Sequence, residues 1–196
     1  TIQNVEASFV AVQVGGGVNI SARSRDGRDV MPQVIAGILA HIAEMTVFFN
    51  TTESSYQRFG SSKAPRYISW SSENRSQLIR IPAAKGEYRR AELRSPDPLC
   101  NPYLAFALLI HAGLDGIKKN LPLPEAADIN FFTAPESVKS KFRTLPGTLF
   151  AAKAAANGQL DYNFDKAVQA FCKRKYASDF SREMTRSAEI YWKEFL

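Results

Sequence analysis

Hydrophobic and polar positions alternate in the first half of the chain in the way that β-strands require. Residues 5 to 13 (VEASFVAVQ) alternate, and the glycines at 15 to 17 indicate a turn into a second strand. After a polar stretch at residues 51 to 64 come three more strand candidates, RYISWSS, QLIRIP and EYRRAELR. Side chains at every second position share one face of a strand. The pattern predicts a sheet with antiparallel hairpins.

Helical periodicity appears between and after these strands. From Pro32 to Phe49 apolar residues recur at spacings of three and four, which predicts an amphipathic helix. Asn101 and Pro102 suit an N-cap and first helical position, and the apolar segment YLAFALLIHAGLDGIKK after them predicts a buried helix. LFAAKAAANG predicts a short helix, and the tail from Asn163 an interrupted one. The fold class is therefore α+β, in a single domain that is strand-rich over 1–95 and helix-rich over 96–196.

Composition places the chain among ordinary globular proteins. Hydrophobic residues make up 45% of its 196 residues, enough to fill a core. Cys100 and Cys172 are far apart and lack a CxxC motif, which favours free thiols and a cytoplasmic location. No signal peptide is recognisable at the start, and the longest uncharged run, residues 98 to 114, is too short to span a bilayer. We therefore expect no membrane association.

The net charge of +6 is concentrated in one region of the chain. Between residues 58 and 94 nine basic residues face three acids, and most of the basic residues are arginines. Arginine grips carboxylates and phosphates with two hydrogen bonds at once. The region lacks a recognition helix or an RNA-binding aromatic pattern, so we expect a small anionic ligand and no nucleic acid.

Arg90, Glu92 and Arg94 are spaced by two and form a plus, minus, plus row on one face of a strand. Arg80 lies between Ile79 and Ile81 in the preceding strand candidate. A solvated face would explain any one of these arginines, but several on consecutive strands would repel each other unless anions lay among them. Glu92 could bind a hard divalent cation. Arginines and a cation that together neutralise negative charge are typical of sites for phosphoryl transfer.

Other catalytic groups have weaker support. His41 and His111 lie in helical segments, where a packed or hydrogen-bonded structural role is the better explanation. No His/Cys cluster supports metal binding, and the glycines at 15 to 17 lack the context of a nucleotide-binding loop.

Three segments resemble the C-terminal half of the catalytic domain of glutamine synthetase: SSYQRFGSSKAPRYISWS, NRSQLIRIP and RRAELRSPDPLCNPYLAFALLIHAGLDGIKK. The resemblance runs from about residue 10 to the end and is strongest from 54 to 120. It implies a partial glutamine synthetase antiparallel sheet packed with helices. It also implies ATP-dependent ligation of glutamate with ammonia through γ-glutamyl phosphate, with Mg²⁺ or Mn²⁺, in a homo-oligomer.

The resemblance also implies roles for individual residues. Arg58 matches an arginine that grips the glutamate carboxylate, and Arg94 matches a second substrate-binding arginine. Arg75 and Arg80 match catalytic arginines near the transferred phosphate and the nucleotide cofactor. Glu92 matches a metal ligand.

Several positions depart from the family pattern. Gly17 stands where a metal-binding histidine is expected, Lys63 replaces the glutamate that helps to deprotonate ammonium, and Phe132 replaces a tyrosine that some relatives adenylylate. The N-terminal β-grasp domain and an upstream acidic cluster are absent from this chain. We therefore expect it to be inactive in isolation. A γ-glutamyl ligase that uses another amine, and a non-catalytic domain for glutamate or phosphate binding or for assembly, remain alternatives.

Overall fold

The computed structural model describes residues 5–12, 17–61, 64–83 and 90–157, and in these ranges it has the expected α+β architecture. The strands are β1 (Val5–Val12), β2 (Gly17–Ser24), β3 (Trp70–Ser72), β4 (Ile79–Ile81) and β5 (Ala91–Leu93). The helices are α1 (Met31–Phe49), α2 (Glu53–Tyr56), α3 (Pro102–Lys118), α4 (Glu136–Lys139) and α5 (Leu149–Asn157). The strands form one sheet in the order β1-β2-β5-β4-β3.

Three of the strand pairings are antiparallel, but the one at the β3 edge is not. β1 pairs with β2, β2 with β5 and β5 with β4 in antiparallel register. β3 and β4 run parallel, so the predicted hairpin between them is wrong. Their connection is tied elsewhere, because Ser76 Oγ and Gln77 Nε2 both donate hydrogen bonds to the carbonyl of Ile129. These bonds hold the connection in a loop, after which β4 runs in the same direction as β3.

The predicted helices are confirmed within the described ranges. α1 begins at Met31, one residue before the predicted start, and ends at Phe49. The side chain of Asn101 caps α3 by accepting hydrogen bonds from the backbone N–H groups of Tyr103 and Leu104, at 3.0 and 3.2 Å. The short helix α5 lies where the sequence placed it. Cys172 and the helix predicted after Asn163 lie outside the described residues.

The hydrophobic core lies between the sheet and helices α1, α3 and α5. Val18 and Ile20 of β2, Ile79 of β4 and Leu93 of β5 join it and are at most 3% exposed. Helix α1 is long and apolar enough to cross a membrane, although 67% of the segment is buried inside this fold. Its apolar character is accounted for by its position in the core.

α1 and α3 cross at a point where no side chain separates their backbones. A Cβ atom added to Gly37 would lie 2.1 Å from the carbonyl oxygen of Ala112, and one added to Gly116 would lie 2.1 Å from the carbonyl oxygen of Gln33. Contacts this short are sterically forbidden, so both positions require glycine. The two glycines set the distance between the central helices.

A polar cluster joins the same helices near this crossing. His41 Nε2 lies 2.8 Å from Asp115 Oδ2, and Lys119 Nζ donates to the same oxygen at 2.8 Å. His41 therefore has the hydrogen-bonded, structural environment that the sequence predicted.

Replacing either glycine at the crossing should destabilise the protein. We expect Gly37→Ala or Gly116→Ala to lower the free energy of unfolding by roughly 2–4 kcal/mol, because the added methyl group forces the helices apart. Chemical denaturation monitored by circular dichroism measures this change. Gly147→Ala is the matched control, since an added Cβ there meets nothing within 4 Å. Equal stability of all three variants would contradict the close crossing.

Candidate functional site

The charged row on β5 lies on the face of the sheet opposite the core. Ala91 and Leu93 point into the core and are 1% and 0% exposed, so Glu92 projects to the other side. Glu92 stands directly opposite Asn19 of β2 and Arg80 of β4 in the two antiparallel ladders. Arg90 joins the same face, because its Nε donates to Asn19 Oδ1 at 3.1 Å. The sheet register thus gathers polar groups from three strands.

Glu92 is the centre of this polar face. Arg80 Nε and Arg80 Nη2 both lie 2.7 Å from Glu92 Oε2. Arg94 Nε approaches the same oxygen at 4.0 Å, which is an ion pair without a hydrogen bond. Two arginines therefore share one carboxylate oxygen, and the cluster keeps an excess of positive charge.

Arg94 is the most deeply buried member of the cluster, with 12% of its side chain exposed. Burial lowers the pKa of its guanidinium, Glu92 opposes that shift, and the charges of Arg80 and Arg75 add to it. Arg75 itself is exposed on the β3–β4 connection, near enough to act on Arg94 electrostatically. Arg75 and Arg80 therefore both lie close enough to Arg94 for their charges to act on it.

Arg58 occupies a separate clamp beside this cluster. Its Nη2 donates to Asn50 Oδ1 at 3.0 Å and to the carbonyl of Ser95 at 3.4 Å, and its Nε lies 3.7 Å from Asp97 Oδ2. Asp97 is 7% exposed, and its backbone N–H donates to the carbonyl of Phe49 at the end of α1. The clamp thus joins α1, the Arg58 turn and the segment after β5.

Three buried polar atoms at this junction have no hydrogen-bond partner among the described residues: Arg58 Nε, Arg94 Nη1 and Ser95 Oγ. Buried polar groups are nearly always satisfied, so such a group calls for a specific explanation. These atoms belong to residues that are adjacent in sequence or in direct contact. Two of the three atoms are arginine nitrogens, so the unsatisfied groups at this junction are mainly donors.

Several residues of the site were not predicted from the sequence. Asn50, Ser95 and Asp97 hold or accompany Arg58, and Asn19 faces Glu92. Ser95 and Asp97 lie within the SPDP segment that carried the family resemblance, which is the signal that could have singled them out. Asn50 shows no signal of its own, because it follows an apolar helix in sequence.

The departures from the family pattern are only partly visible in the structure. A Cβ built on Gly17 would lie 3.6 Å from Glu92 Oε1, so position 17 is adjacent to the carboxylate. Lys63 lies outside the described residues. Among the described residues on either side of it, Gly60 N donates to the carbonyl of Ala64 at 2.8 Å.

A cleft of about 280 Å³ lies next to the site without containing its charged core. It runs between the Phe59–Tyr67 region and residues 131 to 139, and Arg66 and Lys139 contribute positive charge to its lining. Arg58, Arg80, Glu92 and Arg94 are not among its lining residues. The cleft is therefore a neighbouring feature, and the site is defined by the convergence of arginines.

The described residues do not form a metal site by themselves. They contain no group of three or more His, Cys, Asp or Glu side chains placed to hold an ion. Glu92 offers one carboxylate, and Arg80 already occupies one of its oxygens. Mg²⁺ and Mn²⁺ favour six oxygen-rich ligands, so one carboxylate is insufficient.

Comparison with known proteins defines the class of this chain. The family model for the catalytic domain of glutamine synthetase matches residues 13–189. The chain therefore belongs to the glutamine synthetase catalytic-domain family, and the resemblance predicted from its motifs is confirmed.

Individual relatives agree with the family match. Glutamine synthetase of Methanosarcina mazei is 48% identical over 118 residues, which are 59% of this chain and 26% of that protein. The Thermus thermophilus enzyme is 49% identical over 124 residues, 62% of this chain and 28% of that protein. The Thermotoga maritima enzyme is 39% identical over 164 residues, 82% of this chain and 35% of that protein. The matched region is thus about a quarter to a third of each relative.

Solved structures support the same fold. The ADP complex of GmaS aligns with a TM-score of 0.65 and 26% identity, over 87% of this chain and 45% of that chain. Ligand-free GmaS aligns with a TM-score of 0.65 and 24% identity, over 92% of this chain and 42% of that chain, which supports the fold alone.

We expect the buried guanidinium of Arg94 to lower the free energy of unfolding of the ligand-free protein. We expect Arg94→Met to raise the free energy of unfolding by roughly 1–2 kcal/mol, because it removes a buried cation with an unsatisfied nitrogen and leaves Glu92 paired with Arg80. Chemical denaturation in phosphate-free buffer tests this expectation. Arg66→Met, at an exposed arginine, should change stability by less than about 0.5 kcal/mol. A loss of stability in Arg94→Met alone would show that Arg94 supports the fold.

Proposed function

We propose that this chain is the C-terminal part of a ligase that joins glutamate to ammonia at the expense of ATP, through γ-glutamyl phosphate. The single observation that carries this proposal is that Arg58 and Arg94 each keep an unsatisfied buried nitrogen beside the Arg80–Glu92 pair, in a chain of the glutamine synthetase family. Phosphoryl transfer depends on positioning anions and neutralising their charge, and this arrangement supplies both.

Each arginine has a distinct place in the proposed reaction. Arg58 and Arg94 each carry one of the unsatisfied nitrogens and would bind the carboxylates of glutamate. Arg80 and Arg75 extend the positive charge toward the turn after β3, where they would neutralise the transferred phosphate and the nucleotide. Charge neutralisation by fixed donors favours the transition state because no reorganisation is required at the moment of reaction.

The divalent cation used by the family supplies charge stabilisation on the phosphate oxygens when bound. In this chain Glu92 would contribute one ligand, and the remaining ligands must come from outside the described residues. We assign no step to the cation. Arg80, Arg94 and the anions they bind are sufficient to explain substrate positioning.

We infer that residues 1–196 form one domain that corresponds to the C-terminal portion of the catalytic domain, and that activity requires the family's upstream half and a homo-oligomer. The partial coverage of each relative supports this inference. A cytoplasmic location follows from the same metabolic function.

Two other functions remain specific alternatives. A γ-glutamyl ligase that accepts a different amine is favoured by Lys63 in place of the glutamate expected near ammonium. A non-catalytic domain that binds glutamate or phosphate, or serves an assembly, is favoured because Glu92 is already paired with Arg80 and the described residues contain no metal-holding group.

The deciding experiment is phosphate release from Mg-ATP by the encoded protein, including any upstream half. Release that depends on both glutamate and ammonium would support the proposed reaction. Release that depends on glutamate and responds to another primary amine would identify the second function. A folded protein that binds phosphate or glutamate but releases none from ATP would leave the non-catalytic function.

Asp97 should act as a positioning residue for Arg58. We expect Asp97→Asn to raise the KM for glutamate about fivefold while kcat changes less, because the amide keeps the side-chain shape but loses the charge that faces Arg58 Nε. Steady-state kinetics separate the two parameters, and glutamate titration gives the same comparison if turnover is absent. Asp128→Asn, at an exposed aspartate, is the control. A fall in kcat at unchanged KM would contradict this role.

A further inference from the structure

The Glu92 carboxylate occupies one of the edges through which Arg80 could bind an anion. Both Arg80 Nε and Arg80 Nη2 point at Glu92 Oε2 at 2.7 Å, so this edge of the guanidinium is fully used by one internal oxygen. The side edge formed by Nε and a terminal nitrogen is one with which arginine binds carboxylate and phosphate in a forked geometry. Glu92 thus occupies the position of a ligand oxygen.

The charges around the Arg80–Glu92 ion pair allow a bound anion to compete with Glu92 for Arg80. Arg75, Arg80 and Arg94 contribute three positive charges near a single carboxylate, so the cluster retains affinity for a second anion. The side chains of Arg80 and Glu92 are 22% and 25% exposed, which leaves the pair open to ligand exchange. An incoming phosphate must displace the carboxylate or bind beside its negative charge.

We propose that the Glu92 carboxylate competes with anionic ligands for Arg80. It weakens anion binding for as long as it stays bound to the Arg80 guanidinium. A phosphate that displaces the carboxylate would take over both Arg80 nitrogens. This inference rests on the proposed function only in naming phosphate as the anion.

The test is titration of inorganic phosphate into the full encoded protein by calorimetry, in buffer stripped of divalent cations with a chelating resin. We expect Glu92→Gln to bind phosphate roughly tenfold more tightly than the unaltered protein, because a neutral amide competes less for Arg80 and does not repel the ligand. Glu92→Asp keeps the negative charge but shortens the side chain by one methylene. It should also bind more tightly, because the carboxylate no longer reaches both Arg80 nitrogens.

Glu73→Gln provides the matched control. It removes one negative charge from an exposed glutamate on the β3–β4 connection, near Arg75, and should leave phosphate affinity unchanged. Thermal unfolding of each variant establishes that it is folded, and Glu92→Asp carries the test if Glu92→Gln does not fold.

Three results would overturn the proposal. If Glu92→Gln and Glu73→Gln raised the phosphate affinity equally, the effect would come from net charge alone. If Glu92→Asp left the phosphate affinity unchanged, the effect of Glu92→Gln would come from electrostatic repulsion and not from competition for Arg80. Weaker binding in Glu92→Gln would mean that Glu92 positions Arg80 for the anion. Phosphate release from ATP is measured separately, so a failure of the ligase proposal remains distinguishable from a failure of this one.

Discussion

The close crossing of α1 and α3 is the constraint on which the rest of the structure depends. Gly37 and Gly116 allow the two backbones to touch, and this contact sets how closely the two helices pack. The end of α1 holds the Arg58 clamp, since Asn50 accepts from Arg58 and the carbonyl of Phe49 accepts from Asp97 N. α3 starts at Pro102, shortly after the same segment. Packing in the core therefore determines the geometry of a site on its edge.

The second constraint is electrostatic, because the polar face carries more positive than negative charge. One carboxylate serves Arg80 and Arg94, and Arg94 is held in a partly desolvated position with an unsatisfied nitrogen. Such an arrangement is unfavourable in the absence of a ligand and becomes favourable when an anion completes it. The sheet holds these charges on paired strands, and in the proposed function this would reduce the reorganisation needed for anion binding.

Sequence reasoning was most successful where a pattern is local. The periodicity of α1, the Asn101 cap of α3 and the alternation of Ala91, Glu92 and Leu93 follow from spacing alone, and each was recovered in the structure. The β3–β4 hairpin failed because its connection is held by hydrogen bonds to Ile129, about fifty residues further along the chain. A local pattern contains no information about a partner at that distance.

The sequence by itself determined the family, the fold class and the set of arginines, because these depend on motif identity and on short-range periodicity. Only the tertiary structure decided how the charges are partnered. The ladder between β4 and β5 places Arg80 against Glu92, the ladder between β2 and β5 places Asn19 opposite the same carboxylate, and helix packing brings Asn50 and Asp97 to Arg58. These pairings are long-range, and ion pairs form between whichever charges the folded chain brings within a few ångströms.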